Sequence, residues 1–136
     1  VLFRSEQELY NLIIKLPRYA GMIRNSSDQY DRIDWYLPQL NEHYEGKCRS
    51  ENYYSHMIEY QKYDYLIQQN NPFYICSQPN NIYVYNLNEY PYQYIDWRYE
   101  WLPASTEFSR TRKVKKYVGY LNSGFDCCID ILPQLS

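Results

Sequence analysis

The sequence predicts a mixed α/β fold (α+β, with a mixed central sheet). Three observations carry this. Apolar residues recur at helical spacing in some segments and alternate with period two in others. The segments follow in the order helix, strand, strand, helix, strand, strand, which calls for helices packed on a central sheet. The length of 136 residues suits one domain.

Residues 6–16 place Leu9, Leu12, Ile13 and Leu16 on one helical face. Ser5 and Glu8 have the spacing of a capping box, and Pro17 stops the helix. Residues 25–29 (NSSDQ) read as a loop. Ile33, Trp35 and Leu37 then alternate with Arg32, Asp34 and Tyr36, a strand pattern that Pro38 ends. Residues 42–48 form a second strand and complete a hairpin. Residues 51–69 read as the main helix, with Tyr54, Met57, Ile58, Gln61, Tyr65 and Leu66 along one side, broken by Asn70-Asn71-Pro72. Strands are expected at 73–77 and 82–87, joined by a turn at Gln78-Pro79-Asn80-Asn81. The core is therefore about 6–87. The extension, 88–136, holds an aromatic, extended or mixed stretch at 92–102, a loop from Pro103 to Ser109, and a strand at 112–121.

Composition narrows the function classes. Charged residues are 22% and hydrophobic residues 45%, a globular balance. Nineteen tyrosines explain a mean hydropathy of −0.74 beside a heavy aromatic load, since tyrosine counts as polar yet buries like an aromatic. A net charge of −2 excludes a polycation but not a local basic patch. No apolar run reaches membrane-spanning length and no basic start precedes an apolar core, so a cytoplasmic location is expected and a membrane partner is not. Cys48, Cys76, Cys127 and Cys128 lack CxxC spacing and are expected as reduced thiols. His43 and His56 are isolated, and His43 shares the alternation of Glu45 and Lys47. Neither GxxxxGK[ST] nor GxGxxG occurs, and Ser105, Thr106 and Ser109 have no paired histidine. The opening Val1-Leu2-Phe3-Arg4-Ser5 resembles the translation of a short-read sequencing adapter, so residues 1–5 are read as an assembly scar on a metagenomic gene fragment and 6–136 as the domain.

The residues with chemistry are Asp34, Glu45 and Lys47. Side chains two apart on a strand share a face, so Glu45 and Lys47 project together. A hairpin brings Asp34 alongside them. Two carboxylates and a lysine at one spot suit a Mg²⁺-dependent phosphodiesterase: hard oxygens hold the ion, and the lysine orients or deprotonates a water. On the main helix, Gln61 and Tyr65 share one face.

Asp34, then Glu45-Gly46-Lys47, then Gln61-Lys62-Tyr63-Asp64-Tyr65 resembles the PD-(D/E)xK nuclease superfamily. The last element is similar to the QxxxY motif of its RecB-like and lambda-exonuclease-like branch. The runs at 44–49 (YEGKCR) and 58–66 (IEYQKYDYL) look like small phage and bacterial members. The resemblance implies a restriction-endonuclease-like αβββαβ core and cleavage of DNA with Mg²⁺ or Mn²⁺, in a phage, mobile-element or bacterial defence or repair setting. It implies Asp34 and Glu45 as metal ligands, Lys47 as the catalytic lysine, and Gln61 and Tyr65 as supports of the site or the DNA backbone. An acidic residue of the first helix, Glu6 or Glu8, joins the metal shell. Two positions depart from the family: Ile33 stands where it often has proline, and Gly46 where it has an apolar residue. A glycine weakens a central strand and points to a bulge or to a degraded site.

A basic cluster follows. Arg110, Arg112, Lys113, Lys115 and Lys116 supply five of the fourteen positive residues, near Trp97, Trp101, Tyr117 and Tyr120. Such a cluster suits phosphate contacts, with aromatics stacking on unpaired bases. The expected partner is DNA, with self-association open. Competing expectations are a non-enzymatic nucleic-acid- or protein-binding module on the same fold, and an immunity or antitoxin-like protein of unrelated fold.

Overall fold

The computed structural model describes residues 3, 5–25, 33–104 and 112–135. The fold is α+β: two α-helices, a mixed six-stranded sheet and an antiparallel three-stranded sheet among the described residues. The elements are α1 (Glu6–Ile13), β1 (Ile23–Arg24), β2 (Trp35–Leu37), β3 (Glu42–Cys48), β4 (Ser55–Glu59), α2 (Tyr60–Ile67), β5 (Pro72–Gln78), β6 (Asn81–Asn86), β7 (Asp96–Pro103), β8 (Lys113–Asn122) and β9 (Cys128–Asp130). Short 3₁₀ turns punctuate them.

Helix α1 starts where the capping pattern places it: the Ser5 hydroxyl accepts the Glu8 amide at 3.3 Å. It ends at Ile13, three residues earlier than the spacing predicts. The amides of Lys15 and Leu16 bond back to Leu12 and Ile13, tightening the last turn before Pro17 opens a 3₁₀ turn.

The large sheet has the order β1-β2-β3-β5-β6-β9. The β2–β3 hairpin pairs Trp35 with Tyr44, and β3 pairs with β5 in parallel, Glu45 opposite Tyr74 and Lys47 opposite Cys76. Parallel pairing requires a crossover, which β4 and α2 supply. Strand β5 is buried at all seven positions, as expected where both sheet faces are covered. One face packs on α1 through Leu9, Ile13, Trp35, Leu37, Tyr44, Ile75 and Val84. The other packs on α2 and the small sheet through Ile58, Tyr63, Leu66, Tyr74, Cys76, Tyr85 and Leu121.

Two expectations are corrected. The helix expected at 51–69 is only Tyr60–Ile67. Residues 55–59 form β4, where buried His56 and Ile58 alternate with half-buried Ser55, Met57 and Glu59. The partner that makes this segment a strand is β8, antiparallel, with Ile58 opposite Gly119. Tyr54, expected on the helix face, is exposed. Nor is there a bulge at Gly46: the ladder to β5 runs unbroken from His43 to Cys48. The glycine is there because the Trp35 ring lies across it. A Cβ at 46 would meet Trp35 Cη2 at 2.3 Å.

Strand β6 covers 81–86, and β8 covers 113–122. The loop expected at 25–29 lies, beyond Asn25, outside the described residues, as do Ser105, Thr106, Ser109 and Arg110. Cys76 is buried and the other three cysteines are half-buried, none in a disulfide. No helix among the described residues is long and apolar enough to cross a membrane.

Candidate active site

Strand β3 builds the site. Even positions, from Glu42 to Cys48, face α1, so Glu45 and Lys47 face the other way. The hairpin register that sets Trp35 against Tyr44 continues one step to set Asp34 against Glu45. Asp34 Oδ2 accepts the Gly46 amide at 2.9 Å. The Asp34 and Glu45 carboxyls come within hydrogen-bonding range of each other.

This pairing is electrostatically costly. Burial, and then the Asp34 charge, push Glu45 up to about 8, against opposing pull from Lys62. Burial also raises Asp34, which the Gly46 amide partly offsets. Lys47 shifts the other way: burial, then the nearby Arg49 and Lys62 charges, lower its pKa. A lysine so placed releases a proton more readily than an exposed one.

Glu45 and Lys47 open into a cleft of about 360 Å³, together with Arg49, Glu59, Lys62 and Lys116, and with Met57, Ile58, Tyr74, Leu102 and Pro103 as walls. Lys62 Nζ lies 3.4 Å from Glu45 Oε1, and Lys116 Nζ lies 3.1 Å from Glu59 Oε1. Four cationic and two acidic side chains thus line the cleft, an excess of positive charge suited to an anionic ligand. Tyr74 fixes one wall by donating to the Met57 carbonyl at 2.8 Å.

The structure brings Asp34 to Glu45, and Glu45 and Lys47 into one cleft, whereas Asp34 is not in the cleft lining. Gln61 and Tyr65 are not in this cleft. Gln61 lines a neighbouring one with Glu59, Tyr60, Lys115, Lys116 and Tyr117, and Tyr65 is exposed on α2. The helix residue that reaches Glu45 is Lys62, one place along from Gln61. In the first turn of α1, Glu6 acts on Asp34 and Lys47, while Glu8 is exposed and acts on Cys48. Of the basic cluster, Lys116 enters the cleft; Lys113, Lys115 and Arg112 are exposed. His43 hydrogen-bonds the Asn70 carbonyl at 2.6 Å and is not in the cleft lining. His56 is buried between the Tyr85 hydroxyl at 2.5 Å and Gln78 Oε1 at 3.0 Å, a structural role.

Arg49 is the charged cleft residue that the sequence did not single out; Glu59 and Lys62 fall on the expected helical strip beside Gln61 and Tyr65, and Lys116 in the basic cluster, without being expected in the cleft. The entry of Glu59, Lys62 and Lys116 into the cleft depends on where the crossover and β8 fall. Arg49 alone continues the alternation of Glu45 and Lys47, and that signal was available.

Among the described residues, no three His, Cys, Asp or Glu side chains are grouped to hold a metal. The donor set for a cation is therefore the Asp34–Glu45 pair. Magnesium commonly takes one or two carboxylates and keeps several waters, so two hard-oxygen donors that repel each other fit it. Searched against protein-family models, curated proteins and solved structures, the chain finds no match in any of the three.

Proposed function

We propose that this chain is a Mg²⁺-dependent nuclease of the PD-(D/E)xK kind that hydrolyses phosphodiester bonds of DNA in the cytoplasm of a bacterium or phage-infected cell. One observation carries the reading: the Asp34 and Glu45 carboxyls share a buried spot, and Glu45 opens with Lys47 into a cationic cleft. The order α1, β1, β2, β3, α2, β5, with α1 and α2 on opposite sheet faces, supports the αβββαβ sandwich that the motif resemblance implies; β4 and the β7–β8 hairpin are additions to it.

In this reading Asp34 and Glu45 hold the cation, which lowers the pKa of a water and neutralises charge building on the phosphate. The chain's own groups do the rest. Lys47, its pKa lowered, orients the attacking water or takes its proton. Arg49, Lys62 and Lys116 offset the charge of the phosphate. Lys62, 3.4 Å from Glu45, would face the phosphate if a cation took its place beside the carboxyl.

The test is cleavage of DNA with Mg²⁺ and with chelator, by the wild type and by Lys47→Ala. Metal-dependent cleavage lost in Lys47→Ala is expected; undiminished cleavage in that variant overturns the assignment.

The Lys62–Glu45 ion pair also favours a second reading, a non-catalytic module whose lysine permanently stands in for the metal. That reading expects no rise in melting temperature on adding Mg²⁺ or Mn²⁺, whereas the nuclease reading expects a clear one. The immunity-protein reading needs Asp34 and Glu45 apart, and their adjacency speaks against it.

A further inference from the structure

Alternation divides the β7–β8 hairpin into two unlike faces. Trp101 pairs with Lys115, Tyr99 with Tyr117, Trp97 with Gly119 and Pro103 with Lys113, so these residues share one face. The acids of the hairpin, Asp96 and Glu100, lie on the other. There Arg98 pairs with both, and Lys116 pairs with Glu59.

The first face is different in kind. It carries Trp97, Tyr99, Trp101 and Tyr117 with Lys113 and Lys115, and no carboxylate from either strand. Among the described residues, neither lysine forms an ion pair; Lys115 Nζ instead lies 5.0 Å from the Tyr99 ring centroid. Tyr99 and Trp101 are 64% and 65% exposed. The rings form a row: Trp97 stacks on Tyr117 at 5.5 Å, and Tyr117 meets Tyr99 at 4.8 Å. Trp97 anchors the inner end against α2 through Tyr60 and Tyr63.

We propose that this face is a binding ribbon for single-stranded DNA, leading across Glu59 and Lys116 into the cleft of Glu45 and Lys47. Its direction of travel rests on the nuclease reading above. Exposed rings offer stacking partners that any base accepts, and uncompensated lysines offer sites for the phosphates. A duplex keeps its base faces inside its own stack and gains nothing from the rings. The cleft beside Tyr60, Lys115 and Tyr117 shares Glu59 and Lys116 with the carboxyl cleft, so the two clefts adjoin where β4 ends.

The test uses the full chain in chelator, so that nothing is cut. Fluorescence anisotropy of a labelled oligodeoxythymidylate is compared with that of a duplex and an oligouridylate. Tyr99→Ala/Trp101→Ala is expected to weaken the single strand by about 10- to 100-fold. The duplex should bind more weakly and respond little. Trp101→Phe, which keeps a stacking ring, should restore most of the affinity lost in Trp101→Ala and so exclude misfolding. Lys113→Ala/Lys115→Ala should lower the salt dependence by about 1.4 in log–log slope. Single-strand binding within twofold of wild type in Tyr99→Ala/Trp101→Ala overturns the ribbon, as does preference for the duplex; tighter oligouridylate binding overturns the assignment to DNA. Cleavage in Mg²⁺, measured separately, distinguishes the two readings: ribbon-dependent binding without cleavage keeps the ribbon and rejects the nuclease, and cleavage without ribbon dependence does the reverse.

Discussion

Two glutamates three residues apart on β3 are equally buried, at 7% exposure for Glu42 and 6% for Glu45. Their surroundings differ completely. Glu42 faces α1 and is fully engaged: Arg18 binds it with two nitrogens at 2.8 and 2.9 Å, and the Tyr44 hydroxyl donates at 2.8 Å. That is the bidentate geometry in which a buried carboxylate is well satisfied. Glu45, on the opposite face, has a second carboxyl against it and a single lysine at 3.4 Å. Burial alone therefore does not mark a functional acid. What sets Glu45 apart is that its charge is under-compensated where a cleft opens, the setting in which functional acids are sought.

The largest effect that would sharpen this contrast is on chemistry. Glu45→Gln should reduce Mg²⁺-dependent DNA cleavage by about 10³-fold or more, with Glu42→Gln cutting at close to the wild-type rate. Equal losses in both variants would erase the distinction. Next is the residue between the two faces. Gly46→Ala drives a Cβ into the Trp35 ring and should cost about 1–3 kcal/mol in denaturant unfolding. A partial rescue by a smaller residue at 35 would locate the cost at that contact. Glu42→Ala should destabilise by about 1–2 kcal/mol, because Tyr44 loses a buried acceptor while Arg18 is exposed enough to find water. A pH slope also separates the two acids. The folded state keeps the Glu45 proton up to about pH 8, while the unfolded chain releases it near 4.5. The folded form thus binds more protons between those values. The contribution of Glu45 to stability is fullest below about 4.5 and declines as pH rises towards 8. Thermal melts of wild type against Glu45→Gln should show this decline flattened in the variant.

Much of this arrangement was legible in the chain. The period of two through 42–48 gives the bounds of β3 and the facing of Glu45 and Lys47, and the hairpin gives Asp34, because these relations are local. The region 51–69 was misread because Ser55–Glu59 is too short for its alternation to outweigh helical spacing, and its strand state depends on pairing with β8. Lys62 falls on the helical strip beside Gln61 and Tyr65, and its reach to Glu45 depends on where the crossover sets that helix. Gly46 read as a weakness because its reason, the Trp35 ring, comes from the neighbouring strand.

The parallel pairing of β3 with β5 has a consequence in time. A hairpin brings Asp34 to Glu45 cheaply, but Lys62 reaches them only after the crossover closes, and Lys116 meets Glu59 across 57 residues of chain. By loop-closure entropy alone the carboxyl pair is the cheapest of these contacts to form and the Lys116–Glu59 contact the costliest. Strand β8, far along the chain, thus contributes a lysine to a cleft whose acidic residue Glu45 is set by the β2–β3 hairpin.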